Sequence, residues 1–113
     1  MEVLESSLSG LTVLKVTGDL DHLTAAVFEQ AVRQALSLNG TRLFLDLTHC
    51  PYLDSGGLSV LLYALREVRG KGWLGVIAPS RNVGRLFEIT GLSADPDFRV
   101  FPDSTQAMAA LEV

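Results

Sequence analysis

The chain has 113 residues, of which 48% are hydrophobic and 19% charged, and its formal net charge is −4. This length and composition predict one globular domain over residues 1–113 and exclude a disordered chain. The acidic balance argues against a nucleic-acid-binding protein, whose contact faces are basic. Because Cys50 is the only cysteine, no internal disulfide can form. We expect a cytoplasmic protein without a signal peptide or a membrane span.

The first half of the chain predicts a hairpin, a helix and a buried strand. The β-rich runs "EVLESSL" and "LTVLKVTG" flank the turn residues Ser9 and Gly10. Helical spacing then runs from Thr24 to the stop signal Asn39-Gly40. The short apolar run "RLFLDL" is typical of a strand that is buried on both faces.

The second half alternates helices with strands. After Asp54 the helical period returns, and its apolar face is predicted to comprise Leu58, Leu61, Leu62, Leu65 and Val68. "WLGVIAP" predicts another buried strand, and Ser80 is expected to cap a helix that Gly91 ends. "FRVF" and "DSTQAMAALEV" predict a last strand and a terminal helix. This order predicts an α/β fold, with a mixed sheet of about five strands and four helices.

Two arginines on the third predicted helix fall on one face. Arg81 and Arg85 are four residues apart, which places their side chains next to each other on a helix surface. Their side chains are expected either to be solvated or to contact a partner, and the sequence leaves both alternatives open.

Two loops are predicted to meet at the carboxyl edge of the sheet, where α/β proteins bind ligands. "TGDLDHLTA" follows the second strand, and "HCPYLDSGGLSVLL" leads into the second helix. The two glycines of the second segment, Gly56 and Gly57, indicate that another group approaches the backbone closely there. Free N–H groups at the helix start favour an anion, and Asp19 and Asp21 are expected to rim the site. A structural interpretation is equally open, in which Asp54 or Ser55 caps the helix and the glycines allow tight packing.

The residues do not predict a catalytic or metal site. The nucleophile elbow Gly-x-Ser-x-Gly around Ser55 lacks its first glycine. No pattern pairs Ser55 with His22 or His49, and one cysteine with two distant histidines gives no metal-ligand spacing. Gly56-Gly57 without a following lysine matches no nucleotide-binding motif. We therefore predict a protein that is not an enzyme and holds no cofactor or metal.

Three stretches resemble the STAS family, which includes the bacterial anti-sigma-factor antagonists. "VTGDLDHLTA" is similar to the family's "GELD…TA" stretch. "LFLDLTHCPYLDSGGLSVLL" is similar to its "DLS…..DSSGL..L" signature, and "LFEITGL" to the end of its third helix. The resemblance covers nearly the whole chain in the same element order, and it implies the STAS fold.

The resemblance implies a regulatory domain that works by protein binding. In the family, an unphosphorylated antagonist binds an anti-sigma factor that is also a serine kinase. The kinase then phosphorylates a Ser or Thr at the start of the second helix, where added phosphate charge repels the partner. The usual acceptor position is Gly56 here. Three interpretations follow: Ser55 is phosphorylated instead, binding is constitutive, or the domain serves a lipid-transport or signalling complex.

The predicted partner surface combines the Gly18–Thr24 loop, the Tyr52–Leu58 loop and the exposed side of the second helix. Its residues are Asp19, Asp21, Thr24, Asp54, Ser55, Gly56, Gly57, Ser59, Tyr63 and Arg66. We expect an anti-sigma factor with serine kinase activity as partner, no nucleic acid and no membrane insertion; a homodimer stays open. From the residues alone, the alternative is a sensor of an anionic or nucleotide ligand. Gly56→Ser is expected to restore modification, since Ser55 is turned by about 100° from the usual position.

Overall fold

The computed structural model describes residues 1–111 and confirms the predicted element order. The elements are β1 (Glu2–Leu8), β2 (Leu11–Thr17), α1 (Ala25–Asn39), β3 (Arg42–His49), α2 (Ser55–Val68), β4 (Trp73–Ile77), α3 (Arg81–Ile89), β5 (Phe98–Phe101) and α4 (Ser104–Leu111), with a short 3-10 turn at Leu92–Ala94. The strand β3 runs two residues past the predicted "RLFLDL". The end of the predicted terminal helix, residues 112–113, lies outside the described residues.

The five strands form one mixed sheet in the order β1-β2-β3-β4-β5. The hairpin pair β1–β2 is antiparallel, and the pairs β2–β3, β3–β4 and β4–β5 are parallel. The carboxyl ends of β2, β3 and β4 therefore meet at one edge. Beyond the strand ends, Leu20 and Leu53 form one more parallel bridge, which joins the two loops that the sequence places at this edge.

Apolar side chains cover both faces of the central strands. The larger core cluster includes Phe87 and Phe98, whose rings meet edge to face with centroids 5.1 Å apart. The smaller cluster, on the opposite face beneath α4, is built around Phe44 and Trp73, with centroids 5.0 Å apart. Burial on two faces explains why β3 and β4 are almost continuously apolar.

Helix ends follow the predicted signals. The Ser80 hydroxyl accepts a hydrogen bond from the Val83 N–H at 3.2 Å and so caps α3. The helix ends at Ile89, and Gly91 then turns the chain with a φ of 82°. Within residues 1–111, every helix is too short or too polar to cross a bilayer.

Candidate functional site

The segment Leu20–His22 lies directly on the start of α2. The Leu20 N–H donates to the Tyr52 carbonyl at 3.0 Å, and the Asp54 N–H donates to the Leu20 carbonyl at 3.1 Å. These bonds continue the parallel pairing of β2 and β3 into the loops. The predicted meeting of the two loops at the carboxyl edge is therefore confirmed.

The two glycines of α2 face this segment rather than a ligand. A Cβ added at Gly57 would lie 2.6 Å from the Leu20 carbonyl oxygen, and one added at Gly56 would lie 2.7 Å from the His22 Cα. Neither glycine is among the residues with positive φ, so their backbone conformation is open to other residues. What comes close to the helix start is the chain's own backbone, and glycine is required there for space.

Asp54 ties the helix to the segment. Its Oδ1 accepts from the N–H groups of Gly56 at 2.8 Å and Gly57 at 3.3 Å, which caps α2. Its Oδ2 accepts from the His22 N–H at 3.2 Å, and the His22 Nδ1 lies 3.3 Å away. Partial burial acts to raise the pKa of Asp54, but these hydrogen bonds outweigh it and hold the pKa below its ordinary value.

This arrangement changes the interpretation of the helix start as an anion site. The N–H groups of Gly56 and Gly57, which the sequence offered to an anion, are already bonded to the carboxylate of Asp54. An incoming anion would meet this negative charge at the same place. Of the two predicted caps, Asp54 fills the role, and Ser55 stays exposed as the first residue of α2.

Asp21 and Thr24 shape the loop before α1. The Asp21 Oδ1 accepts from the N–H groups of Leu23 and Thr24, both at 3.0 Å. The Thr24 hydroxyl donates to the Asp19 carbonyl at 2.9 Å. Both side chains are half-buried, whereas Asp19 is exposed. Asp21 and Thr24 thus hold the loop in its conformation, and the Asp19 side chain is presented to solvent.

The outer side of α2 differs from the prediction at three positions. Tyr63 is half-buried, and its ring lies beneath the Arg33 guanidinium of α1 at 4.4 Å. Gly57 is buried under Leu20 and Leu53 and is closed to a partner. Leu62, predicted on the apolar face, is 44% exposed, because the inward face of the helix centres on Leu61, Ala64, Leu65 and Val68.

Ser59 and Arg66 are exposed on α2, as predicted. The predicted loops Gly18–Thr24 and Tyr52–Leu58 also contain three exposed residues that the sequence interpretation did not single out, namely His22, Leu23 and Tyr52. Leu23 is 79% exposed and Tyr52 is 53% exposed. Their signal was present in the sequence, since both are large apolar or aromatic residues that lie in loops and outside any helical or strand period.

Comparison with known proteins places this geometry in a family. Residues 5–100 match the family model described as "Mlab, STAS domain". The chain belongs to the STAS family. The STAS fold expected from the sequence is thereby confirmed. Together with the relatives described next, the match also confirms the expected regulatory type: this is a STAS domain of the anti-sigma-factor-antagonist type, a class of binding regulators and not of enzymes.

Individual STAS proteins are similar over most of the chain. The anti-sigma-F factor antagonist RsfB of Mycobacterium tuberculosis is 30% identical over 103 residues, which cover 91% of this chain and 83% of that protein. The anti-sigma-B factor antagonist of Listeria monocytogenes is 38% identical over 79 residues, 69% of each chain. The crystal structure of an anti-sigma factor antagonist from Mycobacterium paratuberculosis superposes with a TM-score of 0.88 at 27% identity, covering 99% of this chain and 94% of that one.

Proposed function

We propose that this STAS domain is an anti-sigma factor antagonist that binds an anti-sigma factor with serine kinase activity. The names of its relatives support the class of partner, since both are antagonists of an anti-sigma factor. The residues at the carboxyl edge of the sheet support the place of contact. No catalytic step is needed for this function, because a bound anti-sigma factor is withheld from its sigma factor by occupancy alone.

The observation that carries the proposal is the joining of two loops into one surface. The Leu20–His22 segment is held on Gly56 and Gly57 by the carboxylate of Asp54. A surface that is ordered before binding spends less free energy on ordering when the partner arrives. The pairing also exposes residues of both loops side by side, among them His22 and Ser55.

The same surface extends along α2 with mixed chemistry. Ser59, Leu62 and Arg66 are exposed on this helix, and Leu23 and Tyr52 add apolar area beside its start. Apolar contacts with a polar and charged rim are the usual composition of a protein interface. An arginine such as Arg66 and an aromatic such as Tyr52 are residue types that often dominate binding energy.

Ser55 carries the exposed side-chain hydroxyl at the start of α2. A phosphate there would add about −1.5 to −2 charges next to the carboxylate of Asp54. Because the capping N–H groups are already used by Asp54, the helix start would neutralise little of that charge. We propose that the usual phosphorylation does not occur, because glycine at position 56 offers no hydroxyl. Phosphorylation of Ser55 would then regulate binding by repelling the partner.

A binding titration with a charge reversal tests this proposal. Each kinase-type anti-sigma factor of the source organism is purified and titrated with the parent, with Arg66→Glu and with Lys71→Glu. Lys71 is exposed in the turn between α2 and β4 and is not among the predicted partner residues, and its reversal changes the net charge by the same amount. We expect one kinase to bind the parent, with affinity at least tenfold weaker for Arg66→Glu and unchanged for Lys71→Glu. Equal effects of the two reversals, or no binding kinase, would refute the proposed surface.

A further inference from the structure

A second feature of the molecule lies on α3, outside the surface described above. A shallow cleft of about 570 Å³ lies along the outer side of α3 and the two residues that precede this helix. Pro79, Gly84, Arg85 and Ile89 are among the residues that line it. Gly84 contributes no side chain, and a Cβ there would meet only the Pro79 Cγ, at 3.9 Å.

The cleft carries two free positive charges in an acidic chain. Arg81 and Arg85 are exposed and line it together, and neither forms an ion pair with a carboxylate of residues 1–111. By contrast, Arg33 and Arg69 each pair with a carboxylate, Glu29 and Asp95 respectively. The whole chain has a net charge of −4, whereas Arg81 and Arg85 together make this part of its surface positive.

The other residues of the cleft indicate what kind of anion fits it. Ile89 is 73% exposed, and a small inorganic anion would leave this apolar side chain in water. Glu88 also lines the cleft. Its carboxylate would repel any anion, but it would repel a multiply charged phosphate, whose charge sits on one group, more than a peptide that can hold single carboxylates away from it. A polypeptide can place carboxylates on Arg81 and Arg85, whose side chains start about 5–6 Å apart on the helix, and an apolar side chain on Ile89.

The cleft is separate from the Asp54 surface. A neighbouring pocket of about 300 Å³ is lined by Asn82 and Leu86 of α3 with the loop residues Pro51 and Tyr52. Neither arginine lines that pocket, and the two cavities share no residue. We infer that the Arg81–Arg85 cleft is a second interaction surface, which binds an acidic segment of another protein by pairing its carboxylates with the two guanidinium groups.

Selection from a phage-displayed library of random twelve-residue peptides on the whole immobilised protein tests this inference. We expect the enriched peptides to combine acidic with apolar residues. A synthetic copy of the most enriched peptide is then titrated against the parent, the double variant Arg81→Glu/Arg85→Glu and the matched control Arg42→Glu/Lys71→Glu. Both control residues are exposed at the opposite edge of the sheet. Affinity should fall at least tenfold in the first variant only and weaken with added salt.

Four results would overturn the inference. Enriched peptides without acidic residues, or peptides that bind both double variants equally, would show that the two arginines recognise nothing specific. Displacement of the peptide by micromolar inorganic phosphate would assign the cleft to a small anion instead. A concentration-dependent dimer of the parent that the Arg81→Glu/Arg85→Glu variant lacks would make a second copy the occupant. Circular dichroism confirms that each variant is folded before it is titrated.

Discussion

Gly57→Ala is expected to lower the free energy of unfolding by about 1–3 kcal/mol, the usual cost of an added methyl in a packed site. The new Cβ would lie 2.6 Å from the Leu20 carbonyl oxygen, 3.0 Å from the Leu20 Cβ and 3.1 Å from the Leu53 Cγ. The Leu20 carbonyl cannot simply move away, because it accepts the hydrogen bond from the Asp54 N–H. Relief of the clash therefore separates the two loops or shifts α2, and partner binding should weaken with stability.

Gly84→Ala is the matched control, since Gly84 also lies in the first turn of a helix, α3. Its added Cβ would have only the Pro79 Cγ nearby, at 3.9 Å, so alanine should stabilise by about 0.4–1 kcal/mol through the unfolded chain. Urea denaturation of both variants measures the two changes. A stable Gly57→Ala protein would show that the segment Leu20–His22 does not rest on α2 as described.

Gly56→Ser is expected to destabilise the protein by about 1–3 kcal/mol as well, and to release His22 from the start of α2. The serine Cβ would lie 2.7 Å from the His22 Cα and 2.9 Å from its backbone nitrogen. Both are backbone atoms, so a change of rotamer cannot relieve the contact. The family resemblance alone predicts that serine at position 56 restores phosphorylation. The structure adds that the backbone of His22 must move away before a kinase can reach the hydroxyl of this serine.

Urea denaturation and phosphate mapping by mass spectrometry, after incubation with the bound kinase, examine this variant together. Gly84→Ser serves as the control, because its side chain enters open space. We expect Gly56→Ser to be the less stable of the two, and the parent to carry little phosphate. Equal stability of the two serine variants would contradict the close approach of His22, and stoichiometric phosphate on Ser55 of the parent would contradict constitutive binding.

The elements and their order could be predicted from local patterns. Stop signals such as Asn39-Gly40 and caps such as Ser80 act within a few residues of the helix ends that they set, and the structure places both as expected. The apolar run of β3 also indicates burial on both faces, because the pattern of apolar residues that shows it lies within a few consecutive positions. Asp54 could be recognised as one of two candidate caps on the same basis.

Contacts between distant residues could not be predicted in this way. The partner of the glycine pair is the Leu20–His22 segment, more than thirty residues earlier in the chain, and no local pattern gives that distance. The hydrogen bond between His22 and Asp54 likewise joins residues that are 32 positions apart in the chain. Tyr63 is half-buried because it packs against the core and Arg33 of a neighbouring helix lies over its ring, and helical periodicity alone does not show where a neighbouring helix packs.

Amide hydrogen exchange of the complex tests the central claim most directly, namely that the two joined loops and the exposed side of α2 form the binding surface. The parent is compared free and bound to the kinase-type anti-sigma factor that it recognises. We expect exchange to slow in peptides that cover residues 19–24 and 52–66, and to stay unchanged in α4. Unchanged exchange in both loop segments, with protection confined to other elements, would contradict the proposed surface.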